Sequence, residues 1–99
     1  MSIKFHTPVV TADGHPLGVA QKIYHADPDG IETSRFLNYL KVFDFNSGDA
    51  YYIPLEYVST SDDIVALSIN FKTIQSNSFS NTPRSIAYGS AKEEVLDAS

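Results

Sequence analysis

Three histidines have the widest chemical use in this sequence, because imidazole can bind a metal ion or transfer a proton. They are His6, His15 and His25. Zinc-binding histidines usually stand roughly three to five residues apart, on one helix face or around a turn. Those spacings do not match the nine- and ten-residue intervals here. The spacing therefore predicts histidines at the surface or at strand ends, and no metal site.

An acidic stretch from Asp27 to Glu32 superficially resembles a calcium-binding loop. Counted from Asp27, the fifth position is Ile31 and the twelfth is Asn38. A helix–loop–helix calcium site needs an oxygen ligand at the fifth position and a bidentate glutamate at the twelfth. The stretch is therefore predicted to be a solvated turn.

The residues needed for covalent catalysis or for holding a cofactor are missing or isolated. The chain has no cysteine, which excludes a thiol nucleophile, a disulfide and a thiolate metal ligand. Ser90 lacks the spacing of a nucleophile elbow, and the five glycines are scattered rather than grouped into a phosphate-binding loop. We expect no catalytic residue, no cofactor and no enzyme activity. A small hydrolase or ligand-binding barrel is the least favoured alternative.

Aromatic side chains are the more informative group, with six tyrosines and six phenylalanines. Neighbouring residues on a strand face opposite sides, so Tyr51 and Tyr52 should not both fill the core of an open-faced sheet. Core filling remains the simpler alternative for the group, because tyrosine rings pack well in small cores. Interfaces are also rich in tyrosine. The candidate interface residues are Tyr51, Tyr52, Tyr57 and Phe79.

Length and charge narrow the class of protein further. At 99 residues and 10.9 kDa the chain is expected to form a single small fold, with 7 basic and 12 acidic side chains and a net charge of −5. Phosphate-binding surfaces show clustered Lys and Arg, so direct nucleic-acid binding is not expected. No apolar run reaches the roughly 20 residues of a membrane span. The first residues lack the apolar core of a signal peptide, and a cytoplasmic location is expected.

Turn residues divide the first three-quarters of the chain into short segments. Asp-Gly and Asn-Ser-Gly sequences favour tight turns, and their spacing indicates an all-β fold. The turn signals lie at 12–15, 27–30, 46–49, 54 and 61–63. We predict a small antiparallel β-barrel of five or six strands.

Two segments show the period-two pattern of strands. In the first, Leu17, Val19 and Ile23 are predicted to face inward, with Gln21 as a misfit and Gly18 marking a bulge or a close backbone approach. In the second, apolar residues alternate from 65 to 71.

The end of the chain changes character. Residues 75–85 are dominated by Ser and Asn, which predicts a linker. Ser90 and Glu93 have capping-box spacing ahead of Val95 and Leu96, which predicts a short helix that contains these two apolar residues. The predicted division is a barrel over 1–75 followed by a polar linker and short C-terminal α-helix over 76–99.

Three stretches, in this order and spacing, resemble the PRC-barrel family, which includes the photosynthetic reaction-centre H subunit and a ribosome-maturation factor. They are Thr11–Ala20, Tyr51–Val58 and Ile64–Ser68. The resemblance implies a six-stranded, barrel-like domain without catalytic residues, used in protein assembly, docking or dimerisation.

The same resemblance implies structural roles for four residues. Asp13 and Gly14 would form the first hairpin, Gly18 would let the second strand curve, and Pro54 would end a strand. From these observations we expect a non-catalytic protein-interaction module that self-associates. A ribosome- or RNA-associated barrel is the alternative.

Overall fold

Most of the described chain belongs to one β-sheet. The structure is a computed structural model and describes residues 3–26, 38–61, 63–77, 79–87 and 91–96. The strands are β1 (Pro8–Val10), β2 (Pro16–Ala26), β3 (Asn38–Phe43), β4 (Ala50–Pro54), β5 (Val58–Ser61), β6 (Ile64–Leu67) and β7 (Ala91–Val95). A 3₁₀ turn covers Leu55–Tyr57, and two short helices are α1 (Phe71–Ser76) and α2 (Arg84–Ala87). None of the described helices is long and apolar enough to cross a membrane.

The sheet is open and mixed. Its strand order is β4-β3-β2-β1-β6-β5, and β1 and β6 run parallel. The prediction of a mostly β fold is confirmed, but the prediction of a closed, purely antiparallel barrel is wrong. At one end of the sheet, the backbone N–H of Tyr52 in β4 donates to the carbonyl oxygen of Phe79 over 2.8 Å. A loop residue therefore occupies a position on the β4 edge that a barrel would use for strand pairing.

Gly18 allows β2 to bend where its backbone lies against the end of β3. Its φ is +151°, and a Cβ at this position would lie 2.3 Å from the carbonyl oxygen of Phe43. The pairing of β2 shifts on both sides of this point, against β1 near Leu17 and against β3 near Gln21. These irregularities are the bulge and close approach expected of a strand glycine.

The bulges change which β2 side chains face the core. Leu17, Ala20 and Ile23 are all buried in it, a spacing that strict alternation cannot produce. Val19 is half-buried and pairs with Phe43 on the opposite face, so the prediction that it faces inward is wrong. Gln21, the misfit in the pattern, is the extra residue of the second bulge.

The late period-two segment forms a strand only as far as Leu67. Phe71 begins α1 because Asn70 caps this helix: its side-chain Oδ1 accepts a 2.8 Å hydrogen bond from the N–H of Thr73. An asparagine side chain at the N-cap satisfies a backbone donor that the first turn of a helix leaves unpaired. The helix buries Ile74 in the core.

The predicted C-terminal helix is wrong, because this segment forms strand β7. β7 pairs antiparallel with residues 22–26 of β2, on the edge that β1 leaves unpaired. The sheet satisfies its backbone groups, whereas an isolated helix of two turns is marginal in water. Leu96 enters the main core and Val95 points to solvent. Residues from the predicted 76–99 segment thus belong to the same sheet as the rest, while the acidic stretch at 27–32 lies outside the described residues.

Gly18→Ala should destabilise the fold more than Gly14→Ala. Both glycines have positive φ, but a Cβ on Gly14 meets no atom within 4 Å. We expect Gly14→Ala to lower the free energy of unfolding by about 1–2 kcal/mol and Gly18→Ala by about 3 kcal/mol or more. Urea titration of the two variants measures the difference. Equal losses would contradict a close approach of β2 to Phe43.

Leu96→Ala should be costly and Val95→Ala nearly neutral, although the two residues are adjacent. Leu96 is 6% exposed and Val95 is 79% exposed. Removing a buried leucine side chain costs about 2–3 kcal/mol, which lowers the melting temperature of a domain this size by roughly 10 °C. Thermal unfolding followed by circular dichroism checks both variants. A neutral Leu96→Ala would show that the segment does not dock as described.

Candidate functional site

The sheet has two faces, one packed on the main core and one that we call the outer face. Pairing between the strands fixes which residues share the outer face, since directly opposed residues point the same way. Its members from β2, β3, β4 and β7 are Val19, Lys22, Tyr24, Tyr39, Lys41, Phe43, Ala50, Tyr52, Pro54, Glu93 and Val95. The outer face divides into a covered half and an open half.

The covered half is a tyrosine cluster made of Tyr24, Tyr39 and Tyr52, with Ile86 of α2 packed against it. The rings of Tyr24 and Tyr52 lie 6.2 Å apart. Burial, and secondarily the neighbouring Glu93 carboxylate, raise the pKa of the Tyr24 hydroxyl above its ordinary value. Because its pKa is raised, the hydroxyl stays protonated at neutral pH.

Tyr51 and Tyr52 are both buried, at 9% exposure each. Tyr51 packs in the main core and Tyr52 in the tyrosine cluster. Both can be buried because the sheet is covered on its two sides at this point. Their predicted role in an interface stays a prediction, and neither ring offers much surface for it in the single chain.

The other two candidate interface residues also pack inward. Tyr57 and Phe79 are half-buried against the main core, with ring centroids 6.2 Å apart. Phe79 also accepts the backbone hydrogen bond at the β4 edge. Of the four predicted turn and kink residues, Asp13 and Gly14 lie in the turn between β1 and β2, Gly18 lies at the bend of β2, and Pro54 ends β4.

The open half carries exposed apolar side chains. Pro8, Val19 and Phe43 are directly opposed on β1, β2 and β3. Phe45, in the turn after β3, is 62% exposed and lies edge-on to Phe43 at 4.9 Å. Val95 stands beside Lys22 on the β7 side. We define the open half as Pro8, Val19, Phe43, Phe45 and Val95.

His6 borders the open half in a strained conformation. Its φ is +68°, in the left-handed region that non-glycine residues rarely adopt. The ring stacks on Phe5 at 3.9 Å and meets the edge of Phe45 at 5.6 Å. The conformation thus places an exposed imidazole against the exposed phenylalanine.

Two lysines lie across the middle of the outer face, directly opposed on β2 and β3. Lys22 Nζ is 3.1 Å from Glu93 Oε2. Lys41 has no ion pair among the described residues. His25 lies near the end of β2, with Nε2 2.9 Å from Glu94 Oε1 and Nδ1 3.0 Å from Asn38 Oδ1. His25 and Lys22 thus both help to hold β7 on β2.

A shallow pocket of about 420 Å³ lies beside the open half at the start of β2. Its lining residues are His15, Pro16, Gly18, Val19, Asp44, Phe45 and Asn46. The carboxylate of Asp44 accepts hydrogen bonds from Asn46 N–H and Ser47 Oγ, and so it braces its own turn. The His15 ring stacks on Phe71 at 4.1 Å. In the part of the chain that the structure describes, no three potential metal ligands come together.

Sequence reasoning missed Phe45 and Val95, the residues that make the open half distinctive. Phe45 lies in a turn, where period-two analysis does not apply, and Val95 was assigned to a helix. The clearest available signal was the alternation of Tyr39, Lys41 and Phe43 with Leu40 and Val42. It assigns Phe43 and Lys41 to the face opposite the core.

The comparisons with known proteins identify no relative of this chain. No protein-family model matches it, and neither does a curated protein or a solved structure. The resemblance to the PRC-barrel family therefore stays a prediction, and the site has to be interpreted from its own geometry.

Asp13 links the first turn to α1, and this link should depend on pH. Hydrogen bonding from Thr11 Oγ1, with smaller contributions from the backbone N–H groups of Asp13 and Phe71, lowers the pKa of the Asp13 carboxyl below its ordinary value. A lowered pKa in the folded state stabilises the fold above the unfolded pKa, and this contribution is lost as the pH falls through the folded value. Wild type should therefore melt above Asp13→Asn at pH 7, and the difference should narrow below pH of about 4. A difference that persists unchanged at pH 3 would contradict a role for the carboxylate.

Proposed function

We propose that this protein is a non-catalytic protein-interaction and assembly module that self-associates. The observation that carries the proposal is the open half of the outer face. Three large hydrophobic side chains are exposed in the described residues, and two of them, Phe45 and Val95, lie on this one face. Val19 and Phe43, which are half-buried, extend the apolar surface beside Phe45, and Val95 lies opposite Lys22.

Burial of this surface by a partner is favourable for a physical reason. Covering a side chain such as Phe or Val contributes about 1.5–3 kcal/mol when burial is complete. Aromatic rings also supply much contact area for little lost side-chain freedom. Lys22, Lys41 and Glu93 border the apolar side chains of the open half and provide the polar groups that surround the apolar centre of an interface.

The arrangement of polar groups favours binding over catalysis. Near the pocket, the Asp44 carboxylate accepts hydrogen bonds from Asn46 and Ser47 of its own turn, and the His15 ring stacks on Phe71. General acid–base catalysis needs a group within hydrogen-bond reach of substrate, positioned by a partner. The expectations of no enzyme activity, no cofactor and a cytoplasmic location remain predictions.

An RNA- or ribosome-associated role is the second candidate, and one observation favours it. Lys41 lies on the same face as Phe43 and Phe45, and aromatic rings beside cations can stack with unpaired bases. The net charge of −5 and the pairing of Lys22 with Glu93 count against contact with phosphate. A gel shift with single-stranded RNA at low salt discriminates the two candidate functions, because only an RNA-binding protein would retard the RNA band.

Val95→Asp should reduce self-association. Wild type is expected to show a mass that rises above 10.9 kDa with concentration in light scattering. A carboxylate at position 95 would have to lose its hydration in any contact there, and burying an unpaired charge is strongly unfavourable. The mass of Phe45→Asp, measured in the same way, shows whether the β3 side of the open half also contributes to self-association.

Thr60→Asp is the matched control for these variants. Thr60 is exposed on β5, at the far end of the strand order, and acquires the same charge. Its mass should follow that of wild type, and all variants should keep the wild-type circular dichroism spectrum. A wild type that stays monomeric at all concentrations would refute self-association.

A further inference from the structure

β7 is an edge strand whose outer side has no partner in the described residues. Its inner side forms the ladder with residues 22–26 of β2. No other backbone hydrogen bond is found for its residues within the described part of the chain. Such an edge presents a row of N–H and C=O groups that can pair with another strand.

We propose that β7 is the edge through which two copies of this chain associate. The strands pair antiparallel about a two-fold axis at Glu93 and join the two sheets into one. This inference rests on the self-association proposed above and assigns it a place and a register.

The charges of β7 are self-complementary in this register. Lys92 lies opposite Glu94 of the second copy, and Glu94 lies opposite its Lys92. Opposite charges directly across a pair of strands stabilise the pairing, and like charges destabilise it. A slip of the pairing by two residues would oppose Lys92 to Lys92 or Glu94 to Glu94. Only the register centred on Glu93 pairs charges of opposite sign.

The same register accounts for the exposure of Val95. It places Val95 opposite the backbone of residue 91 of the second copy, on each side of the axis. Val95 is the most exposed of the large hydrophobic residues described, at 79%. The two Glu93 side chains meet at the axis, and each is already paired with Lys22 of its own chain at 3.1 Å, which reduces their repulsion.

Charged residues often protect sheet edges from pairing, and here their order allows one particular pairing. A two-fold axis perpendicular to the sheet keeps both open halves on the same side. The contact would cover the Val95 end of each open half and leave Phe43 and Phe45 of both copies exposed on the same side, an arrangement suited to an assembly module.

Single cysteines test the register directly, because the chain has none of its own. Directly opposed residues have Cα atoms about 4.5–5.5 Å apart, within the roughly 4.4–6.8 Å that a disulfide spans. Under mild oxidation, Glu93→Cys should form a covalent dimer at least about tenfold faster than Glu94→Cys. Glu94→Cys is the matched control, because residue 94 does not lie opposite itself in this register. Equal rates, or a faster reaction at position 94, would overturn the proposal.

Charge reversal provides a second measurement, made without cysteines. Lys92→Glu alone should weaken association by about tenfold, and so should Glu94→Lys, which also loses the contact of Glu94 with His25. An equimolar mixture should recover association as a heterodimer, a result that loss of the His25 contact by itself would not produce. Lys72→Glu, on exposed α1, carries the same charge change and should not recover association with Glu94→Lys.

The outcomes separate this proposal from the one on which it rests. A wild type that is monomeric throughout refutes both. A wild type whose mass rises, without preferential Glu93→Cys cross-linking or recovery on mixing, overturns the β7 edge and leaves self-association standing.

Discussion

The close approach of Gly18 to the carbonyl group of Phe43 is the contact on which the arrangement of this sheet depends. It lets the backbone of β2 lie against the end of β3, between two bulges that change which side chains of β2 face the core. As a result Leu17, Ala20 and Ile23 enter the core, and Val19, Lys22 and Tyr24 occupy the outer face. Both halves of the outer face therefore depend on one backbone contact, which has no room for a side chain.

Both halves of the outer face carry apolar side chains, but within the described residues only one half is covered. The tyrosine cluster is a second small core, covered by Ile86 of α2, with Glu93 of β7 opposite Tyr24. The open half lacks such a cover in the described residues, although Phe43 and Val19 continue the same surface toward Phe45. A sheet that encloses aromatic side chains on one part and exposes them on the next is well suited to binding another protein.

Part of this structure could be predicted from the sequence. The β-rich fold, the turn at Asp13–Gly14 and the irregularity at Gly18 follow from local chemistry that each residue carries by itself. The facing of Val19 could not be predicted, because Gly18 indicates an irregularity in the strand but not how that irregularity changes the facing of the next residue. Strand β7 was missed because its conformation depends on an edge that β2 provides far away in the chain. Val95 was missed together with β7, and Phe45 was missed because it lies in a turn, where the period-two pattern gives no facing.

The sharing of one β2 edge by β1 and β7 has a consequence for how the protein is made. The first part of that edge is paired by a strand that precedes β2, but the second part waits for residues about 70 positions later, as the Lys22–Glu93 pair illustrates. The backbone groups of residues 22–26 that face β7 stay unpaired until residues 91–95 have been synthesised and have left the ribosome. Long-range pairing of this kind slows folding. The unfinished sheet is therefore the stage at which a chaperone would have the most to protect.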